Sequence, residues 1–223
     1  MHLVQQLAFV LLAGMSIWLF GKKIGEIRRN ILLGNEEDFS DRKPDRWRNL
    51  VLLALGQKKM FRNPFVALMH FVIYAGFIII NLEVLEIFLD GVLGTHRLFA
   101  GFSTKYYTYL INAFELLAAG VIIVCIIFLL RRNVIRLKRF ISKDLNGWPR
   151  SDANLILITE IILMSLFLLM NASDTLLQKR YYPGFQEHPT GNFIVSGFLQ
   201  SLINGMSSNS LFIFERVAWW LHI

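Results

Sequence analysis

The apolar stretch from Phe65 to Leu89 constrains this chain more than any other feature. It follows a basic segment and Pro64, and its only ionisable side chains apart from Tyr74 are one histidine and two glutamates, His70, Glu83 and Glu86. About 20 consecutive apolar residues are enough for an α-helix to cross a hydrocarbon core roughly 30 Å thick. We therefore predict a transmembrane helix here, in which each ionisable residue needs a structural or functional reason.

The composition extends this prediction to the whole chain. Hydrophobic residues make up 55% of it and charged residues 17%, which is unlike a soluble domain. The net charge of +7 comes from basic residues that flank apolar segments, a distribution typical of topology signals rather than of nucleic-acid binding. The single cysteine, Cys125, excludes an internal disulfide and an all-cysteine iron-sulfur site within these residues.

We predict an all-α integral membrane protein with a bundle of five transmembrane helices. The first is a retained span rather than a secretory signal, because its basic residues follow the apolar run instead of preceding it. A short amphipathic helix is expected on the inner face before the second span. The predicted spans cover about residues 3–20, 65–89, 107–130, 153–172 and 210–223.

The distribution of lysine and arginine predicts the orientation of these spans. Residues 21–65 hold 11 of them and residues 131–152 hold 7. The two segments on the opposite side hold only Arg97, Lys105, Lys179 and Arg180. Because basic residues concentrate in cytoplasmic loops, we predict an outside amino terminus and an inside carboxyl end.

The last predicted span is short for a membrane helix. Its residues, 210–223, cover about 21 Å at the helical rise, less than the roughly 30 Å of a hydrocarbon core. We therefore expect residues 1–223 to form a single transmembrane domain whose polypeptide continues past Ile223 into a cytoplasmic domain.

Two histidines, His70 and His222, lie within predicted spans at similar depths. By helical rise they lie about 7 to 8 Å and about 12 Å from the inner boundary. Two imidazoles from different helices at one level are what axial ligation of haem b requires. The alternative is a hydrogen bond across helices. In the haem hypothesis, Gly76 would allow close approach of the macrocycle, and Arg62 would pair with a propionate.

Four carboxylates form a second candidate site toward the outer side. Glu83 and Glu86 lie one turn apart in the second span, Glu115 lies in the third, and Glu215 precedes Arg216 in the fifth. Buried charges at this depth should face the bundle interior and pair. A quinol or proton site is one interpretation, since a carboxylate can accept the proton that quinol oxidation releases. A structural polar network around Arg216 is the other.

Two segments resemble a known family. The runs ALGQKKMFRNPFVALMHFVIYAGFIII, residues 54–80, and ERVAWWLHI, residues 215–223, resemble cytochrome b subunits related to the nitrate reductase gamma chain and to the membrane subunit of heterodisulfide reductase. The likeness is greatest to bacterial proteins in which the five-helix domain precedes an iron-sulfur domain. The resemblance implies haem b between the second and fifth spans, ligated by His70 and His222, with electrons passing between a membrane quinone and a cytoplasmic iron-sulfur partner.

The chain departs from the family in its number of histidines. Nitrate reductase gamma chains carry a histidine pair on each ligating helix, whereas the second span here has only His70. A second haem would need a ligand beyond Ile223 or in an outer loop, at His96 or His188. For these two residues and for His2, a solvated position is the favoured interpretation.

Two functions of different classes follow. The first is an electron-transfer subunit of a quinone-linked oxidoreductase in the bacterial inner membrane, with haem b as cofactor and an iron-sulfur protein or domain as partner. The second is a cofactor-free membrane anchor or assembly subunit, whose histidines and acids join helices. A transporter is disfavoured because the sequence has neither an internal repeat nor paired broken helices.

Overall fold

The computed structural model describes residues 3–35, 38, 40–58, 61, 63–137 and 147–222. These residues form seven α-helices and no strands. A π-helical segment, Leu50–Leu55, follows the second helix, and a 3-10 turn, Leu98–Gly101, precedes the fourth. The α-helices are α1 (Leu3–Ile31), α2 (Lys43–Asn49), α3 (Pro64–Leu93), α4 (Thr104–Asn133), α5 (Trp148–Lys179), α6 (Ile194–Ile203) and α7 (Ser208–His222).

Four of these helices, α1, α3, α4 and α5, are long and apolar enough to span a membrane. They contain 29 to 32 residues each and extend past the predicted boundaries, most clearly where α1 continues to Ile31 and α5 continues to Lys179. The prediction of an all-helical protein with several membrane spans is confirmed. This architecture is consistent with a multi-pass membrane protein.

The fifth predicted span corresponds to α7, which has 15 residues. This length covers about 22 Å and is too short to count among the spanning helices. The structure describes α7 only as far as His222. A five-helix transmembrane bundle and its orientation therefore stay predictions.

The chain divides into two compact units, the first comprising Met1–Leu68 and Gly91–Gly94. Within this unit Phe9 is buried against Gly91, where an added Cβ would lie 2.5 Å from the phenyl ring. Gln6 also donates its side-chain amide to the carbonyl of Val92 at 2.7 Å. The other described residues of α1 are largely exposed apolar side chains, as suits contact with lipid.

The first unit also contains α2 and the π-helical segment after it. The short helix expected in this region is present, and its side chains, including Trp47, are exposed along its length. Basic residues in α2 precede the run of exposed leucines in residues 50–55. This order suits a segment lying at a membrane surface, which stays a prediction.

The second unit comprises Met69–Asp90 and Thr95–Ile223 and holds every candidate site residue that the structure describes. In it, α3 and α4 approach closely at two glycines. A Cβ on Gly76 would lie 2.8 Å from Val121, and a Cβ on Gly120 would lie 3.2 Å from Val72. Side chains larger than hydrogen at these glycines would push the helices apart, so the glycines permit the close packing.

Polar and aromatic contacts within the second unit show that consecutive long helices run antiparallel. The His70 ring lies 4.8 Å from that of Phe128 near one end of α3 and α4, and Glu86 bonds Tyr107 near the other end. The helices α4 and α5 are joined in the same way, by Asn133 with Asn154 at one end and by Glu115 with Asn171 at the other. The acidic and histidine-bearing regions therefore lie at opposite ends of α3 and α4.

Candidate functional site

The most extensive polar site in the described residues centres on Arg97, in the loop between α3 and α4. Only 4% of this residue is exposed. Its guanidinium donates to side chains from three helices: Glu83 Oε1 at 2.9 Å, Tyr107 Oη at 3.1 Å, Asn171 Oδ1 at 2.5 Å and Asp174 Oδ2 at 2.8 Å. One buried cation thus joins α3, α4 and α5.

The loop that carries Arg97 is held by Asp90, near the end of α3. The Asp90 carboxylate accepts hydrogen bonds from the Thr95 hydroxyl at 2.6 Å and from the backbone N–H groups of Arg97 at 2.8 Å and Leu98 at 3.2 Å. Arg97 has φ of 57°, in the left-handed region that non-glycine residues rarely adopt. Asp90 stabilises this backbone conformation and so directs the arginine into the protein.

Glu86 is linked to Arg97 through Tyr107. The Tyr107 hydroxyl donates to Glu86 Oε2 at 2.7 Å and accepts from the guanidinium of Arg97. The other Glu86 oxygen accepts the backbone N–H of Phe99 at 2.8 Å. Both oxygens of this carboxylate therefore have donors.

Glu115 of α4 is fully buried and accepts hydrogen bonds from two neighbouring helices, α5 and α6. Its Oε1 accepts from the side-chain amide of Asn171 at 3.1 Å. Its Oε2 accepts the backbone N–H groups of Val195 at 2.8 Å and Ser196 at 3.0 Å, in the first turn of α6. The first N–H groups of a helix lack intrahelical partners and favour a negative charge, so Glu115 attaches α6 to the core.

Glu215 of α7 lies beside the same network. It forms an ion pair with the adjacent Arg216, whose guanidinium lies 5.4 Å from the centre of the Trp219 ring. Glu215 also lines a small cavity of about 10 Å³, which is about the room that one water molecule needs. The ionisable residues lining this cavity are Glu83, Glu86, Asp90, His96, Arg97 and Glu215.

The structure therefore gathers the four carboxylates that the sequence singled out around one end of α3. Glu83 and Glu86 bond Arg97 directly and through Tyr107, and Glu115 joins them through Asn171. Glu215 faces the shared cavity. A cavity of this size accepts water or a proton, and a quinone ring does not fit in it.

Acids outnumber cations in this cluster. The buried carboxylates are Glu83, Glu86, Asp90, Glu115, Asp174 and Glu215, and the buried guanidiniums in the cluster are those of Arg97 and Arg216. Burial by itself would lower the pKa of Arg97, but Tyr107, Asp174, Glu83 and Glu86 raise it well above its usual value. Arg97 is therefore the permanent positive charge against which the acids are arranged.

Sequence reasoning missed the residues that organise this network: Asp90, Arg97, Tyr107, Asn171 and Asp174. It took Arg216 as the central cation, whereas the hydrogen bonds of Arg216 go to its neighbour Glu215. The predicted fourth span ended at residue 172, but α5 continues to Lys179. The available signal was the spacing of Asn171 and Asp174, which places both on one helical face.

The loop histidines also differ from expectation. A solvated His96 was expected, but its side chain is only 17% exposed, and its Nε2 lies 3.2 Å from Asp174 Oδ1. Its ring meets that of Phe185 edge to face, with centroids 4.6 Å apart. His188 is half-buried beside Gly101. His2 lies outside the described residues.

The predicted haem ligands lie away from this cluster. The ring of His70 contacts Phe128 of α4. His222 donates its Nδ1–H to the carbonyl of Leu163 on α5 at 3.1 Å. By helical rise, Phe128 lies about 7.5 Å from Asn133 along α4, and Leu163 lies about 13.5 Å from Asn154 along α5. The neighbours of the two histidines therefore lie at unequal distances from the Asn133–Asn154 contact.

The other two predicted cofactor residues have different outcomes. Gly76 is buried against Val121, so its contact in the structure is with α4. Arg62 lies outside the described residues. Among the residues that the structure describes, no group of three or more His, Cys, Asp and Glu side chains is arranged to hold a metal ion.

Comparison with known proteins gives a distant relative. The chain is 22% identical over 219 residues to the probable iron-sulfur-binding oxidoreductase FadF of Bacillus subtilis (strain 168). The match covers 97% of this chain and 28% of that protein, so the chain spans less than a third of the relative's length. No protein-family profile matches the chain, and no solved structure matches it significantly.

Proposed function

We propose that this chain is the membrane electron-transfer part of an iron-sulfur oxidoreductase in a bacterial cytoplasmic membrane. The observation that carries the proposal is the alignment of 97% of the chain with a probable iron-sulfur-binding oxidoreductase. Four helices long enough to span a membrane agree with a membrane role. Because the chain has a single cysteine, Cys125, the iron-sulfur cluster belongs to a partner or to a further segment.

Within this function, His70 and His222 would hold a haem b. The hydrogen bond from His222 to Leu163 supports this assignment, because metal-ligating histidines commonly donate their other ring N–H to a carbonyl or carboxylate. With Nδ1 as the donor, Nε2 of His222 carries the lone pair that binds a metal. Bound haem would supply a one-electron carrier between the quinone and the iron-sulfur partner.

Arg131 would neutralise an acidic group of this haem. It lies near the end of α4, one turn beyond Phe128, the aromatic neighbour of His70. Its Nη1 is buried and has no hydrogen-bond acceptor among the described residues. A buried guanidinium nitrogen without an acceptor is costly, and a propionate would satisfy it. The sequence assigned this role to Arg62.

The carboxylate cluster would handle protons of a membrane quinone. Glu83, Glu86, Glu115 and Glu215 lie at the end of the helices opposite His70, which the positive-inside rule assigns to the outer face. Quinol oxidation releases protons, and carboxylates can accept them. Because the cavity holds only about one water, the quinone itself would bind outside it.

A redox spectrum tests the haem assignment. We expect purified full-length protein in detergent to show a reduced-minus-oxidised b-type spectrum that is lost in His70→Ala and in His222→Ala. His188→Ala is the matched control, since His188 lies in a loop beside Gly101, and it should retain the spectrum. Colourless protein, or an unchanged spectrum in both ligand variants, would contradict the assignment.

The alternative is a cofactor-free anchor subunit, and the Arg97 network favours it in one respect. Arg97, Glu115 and their partners join α3, α4, α5 and α6 without any cofactor. In that case protein purified under conditions of adequate haem supply would be colourless and would still assemble with its iron-sulfur partner. The same spectrum therefore separates the two functions.

A further inference from the structure

One oxygen in the Arg97 network has no hydrogen-bond partner in the part of the chain that the structure describes. Glu83 is 1% exposed, and its Oε1 accepts from Arg97 at 2.9 Å. Its Oε2 is buried, and no group among the described residues donates to it. Glu83 also lines the cavity beside Arg97. A buried carboxylate oxygen without a donor costs free energy unless a water molecule or a proton satisfies it.

The surroundings of Glu83 favour a proton. Every element packed around it contributes ionisable groups: Glu86 and Asp90 from α3, His96 and Arg97 from the loop, Tyr107 and Glu115 from α4, Asp174 from α5, and Glu215 with Arg216 from α7. Six buried carboxylates face two arginines here. Like charges at close range disfavour ionisation of one another, so a proton on Glu83 would lower the repulsion among these acids.

The same cavity reaches a residue that is partly open to solvent. His96 lines it, and the side chain of this residue is 17% exposed. Its Nε2 lies 3.2 Å from Asp174 Oδ1, so a positive charge on the imidazole has an opposite charge beside it. A histidine between a buried cavity and solvent is suited to carry protons, because its unperturbed pKa is about 6.5.

We propose that the cavity beside Arg97 is a proton-storage site, in which Glu83 holds a proton, one bound water contacts it, and His96 connects the water to solvent. On release, the protonated Glu83 gives its proton to the water and becomes a carboxylate. The resulting hydronium ion gives the proton to the His96 imidazole. The imidazolium, held by Asp174, releases it to solvent, which leaves Glu83 as a carboxylate. Uptake of a proton from solvent along the same path in reverse restores the protonated form, and neither direction needs an oxidant or a reductant.

This inference extends the proton-handling part of the proposed function, and its test needs neither haem nor quinone. We expect the infrared spectrum of the full chain to contain the C=O stretch of a protonated carboxyl group that shifts in D₂O. The band should be absent in Glu83→Gln. Glu26→Gln is the control, since Glu26 forms an exposed pair with Lys23, and it should leave the band unchanged.

The role of His96 as the proton path to solvent is tested by the rate at which the Glu83 carboxyl exchanges its proton for deuterium. His96→Gln keeps an amide that can bond Asp174 but cannot accept a proton, so deuteration of the Glu83 band should slow, on the order of a hundredfold. His188→Gln, in the other outer loop, should exchange at the original rate. An unchanged rate in His96→Gln would overturn the role of His96.

Two further results would overturn the storage site. They are the absence of the band in the unmodified protein and its persistence in Glu83→Gln; if it persists there but is lost in Glu86→Gln, the proton lies on Glu86. If Glu83→Gln does not fold, an experimental structure of the unmodified protein decides. Ordered density must then lie within hydrogen-bond distance of Glu83 Oε2. A colourless protein that retains the band would contradict the haem assignment and leave the proton site intact.

Discussion

The Arg97 side chain joins three helices of the second unit by hydrogen bonds. The guanidinium donates hydrogen bonds to side chains on α3, α4 and α5, and the backbone N–H of Arg97 donates to the Asp90 carboxylate. Arginine suits this place because its planar group donates in several directions and keeps its charge when buried. Loss of the cation would leave the acids Glu83 and Asp174 buried without it, which is a larger penalty than the loss of hydrogen bonds alone.

We therefore expect Arg97→Met to destabilise the protein by about 3 to 5 kcal/mol, the usual cost of removing one partner from a buried ion pair. Arg97→Lys should lose less stability than Arg97→Met because it keeps the positive charge, although it loses the hydrogen bonds of the planar group. Thermal unfolding of the purified variants in detergent measures this order. The loss in Arg97→Met should shrink as pH falls, since protonated carboxyls no longer need a cation.

A matched exposed cation provides the control for this comparison. Lys23 pairs with Glu26 at 2.8 Å, and its side chain is 73% exposed. Lys23→Met should cost no more than about 1 kcal/mol, as is usual for surface ion pairs. If Arg97→Met were as stable as Lys23→Met, the Arg97 network would not be a structural centre.

Sequence patterns predicted which acids meet but not what holds them together. Glu83, Glu86 and Glu115 stood out because a carboxylate inside an apolar run is costly without a partner. Arg97 did not stand out, because a polar residue in a loop needs no such explanation. Its burial depends on the left-handed backbone at this residue and on Asp90, and both follow from the folded loop rather than from local periodicity.

Among the helices, the apolar runs predicted where the four long helices lie, and predicted their ends less well. α3 and α4 begin and end within about four residues of the prediction. α5 continues to Lys179, seven residues past the predicted end, because its polar last turns are buried against the Arg97 network. Hydropathy reports contact with lipid, and it does not detect a polar turn that is buried by other protein groups.

The packing of α3 on α4 gives a prediction at this scale. Gly76→Ala places a Cβ 2.8 Å from Val121, which is only 3% exposed, so we expect a loss of about 1 to 3 kcal/mol from overpacking. Val121→Ala in the same chain should recover much of that loss by making room. Unfolding of the two single variants and the double variant measures the coupling.

Gly14 in α1 is the control, because nothing lies within 4 Å of a Cβ added there. Gly14→Ala should be neutral or slightly stabilising, by up to about 1 kcal/mol, since alanine is the better helix former. Additive effects of Gly76→Ala and Val121→Ala would contradict direct packing between these two side chains.

For the whole molecule, the proposed haem ligands and the acidic cluster lie at different places in the second unit. The chain aligns over nearly its full length with 28% of an iron-sulfur-binding oxidoreductase. The histidines His70 and His222 lie away from the acidic cluster, so the two proposed functions occupy different regions of the second unit. In the proposed function, electron exchange with a cytoplasmic partner and proton release on the opposite side would require the orientation that the basic residues predict.

The burial of Arg97 leaves the charge argument for that orientation unchanged. The two basic segments hold 18 lysines and arginines, and the opposite segments hold four. One of those four, Arg97, is buried in an ion-pair network and is not a free loop charge. The other three are Lys105, Lys179 and Arg180, so the imbalance between the two sides is kept when Arg97 is set aside.

Thiol labelling tests the orientation directly, because Cys125 is the sole cysteine and is 0% exposed. Ser40→Cys places a thiol in the segment predicted to be cytoplasmic, and Glu187→Cys places one in an exposed loop predicted to be outside. A membrane-impermeant maleimide should label Glu187→Cys in intact cells and Ser40→Cys only after the membrane is permeabilised. The unmodified protein should stay unlabelled in both cases. The opposite pattern would invert the topology and place the acidic cluster on the cytoplasmic side, where proton release outward through His96 would be impossible.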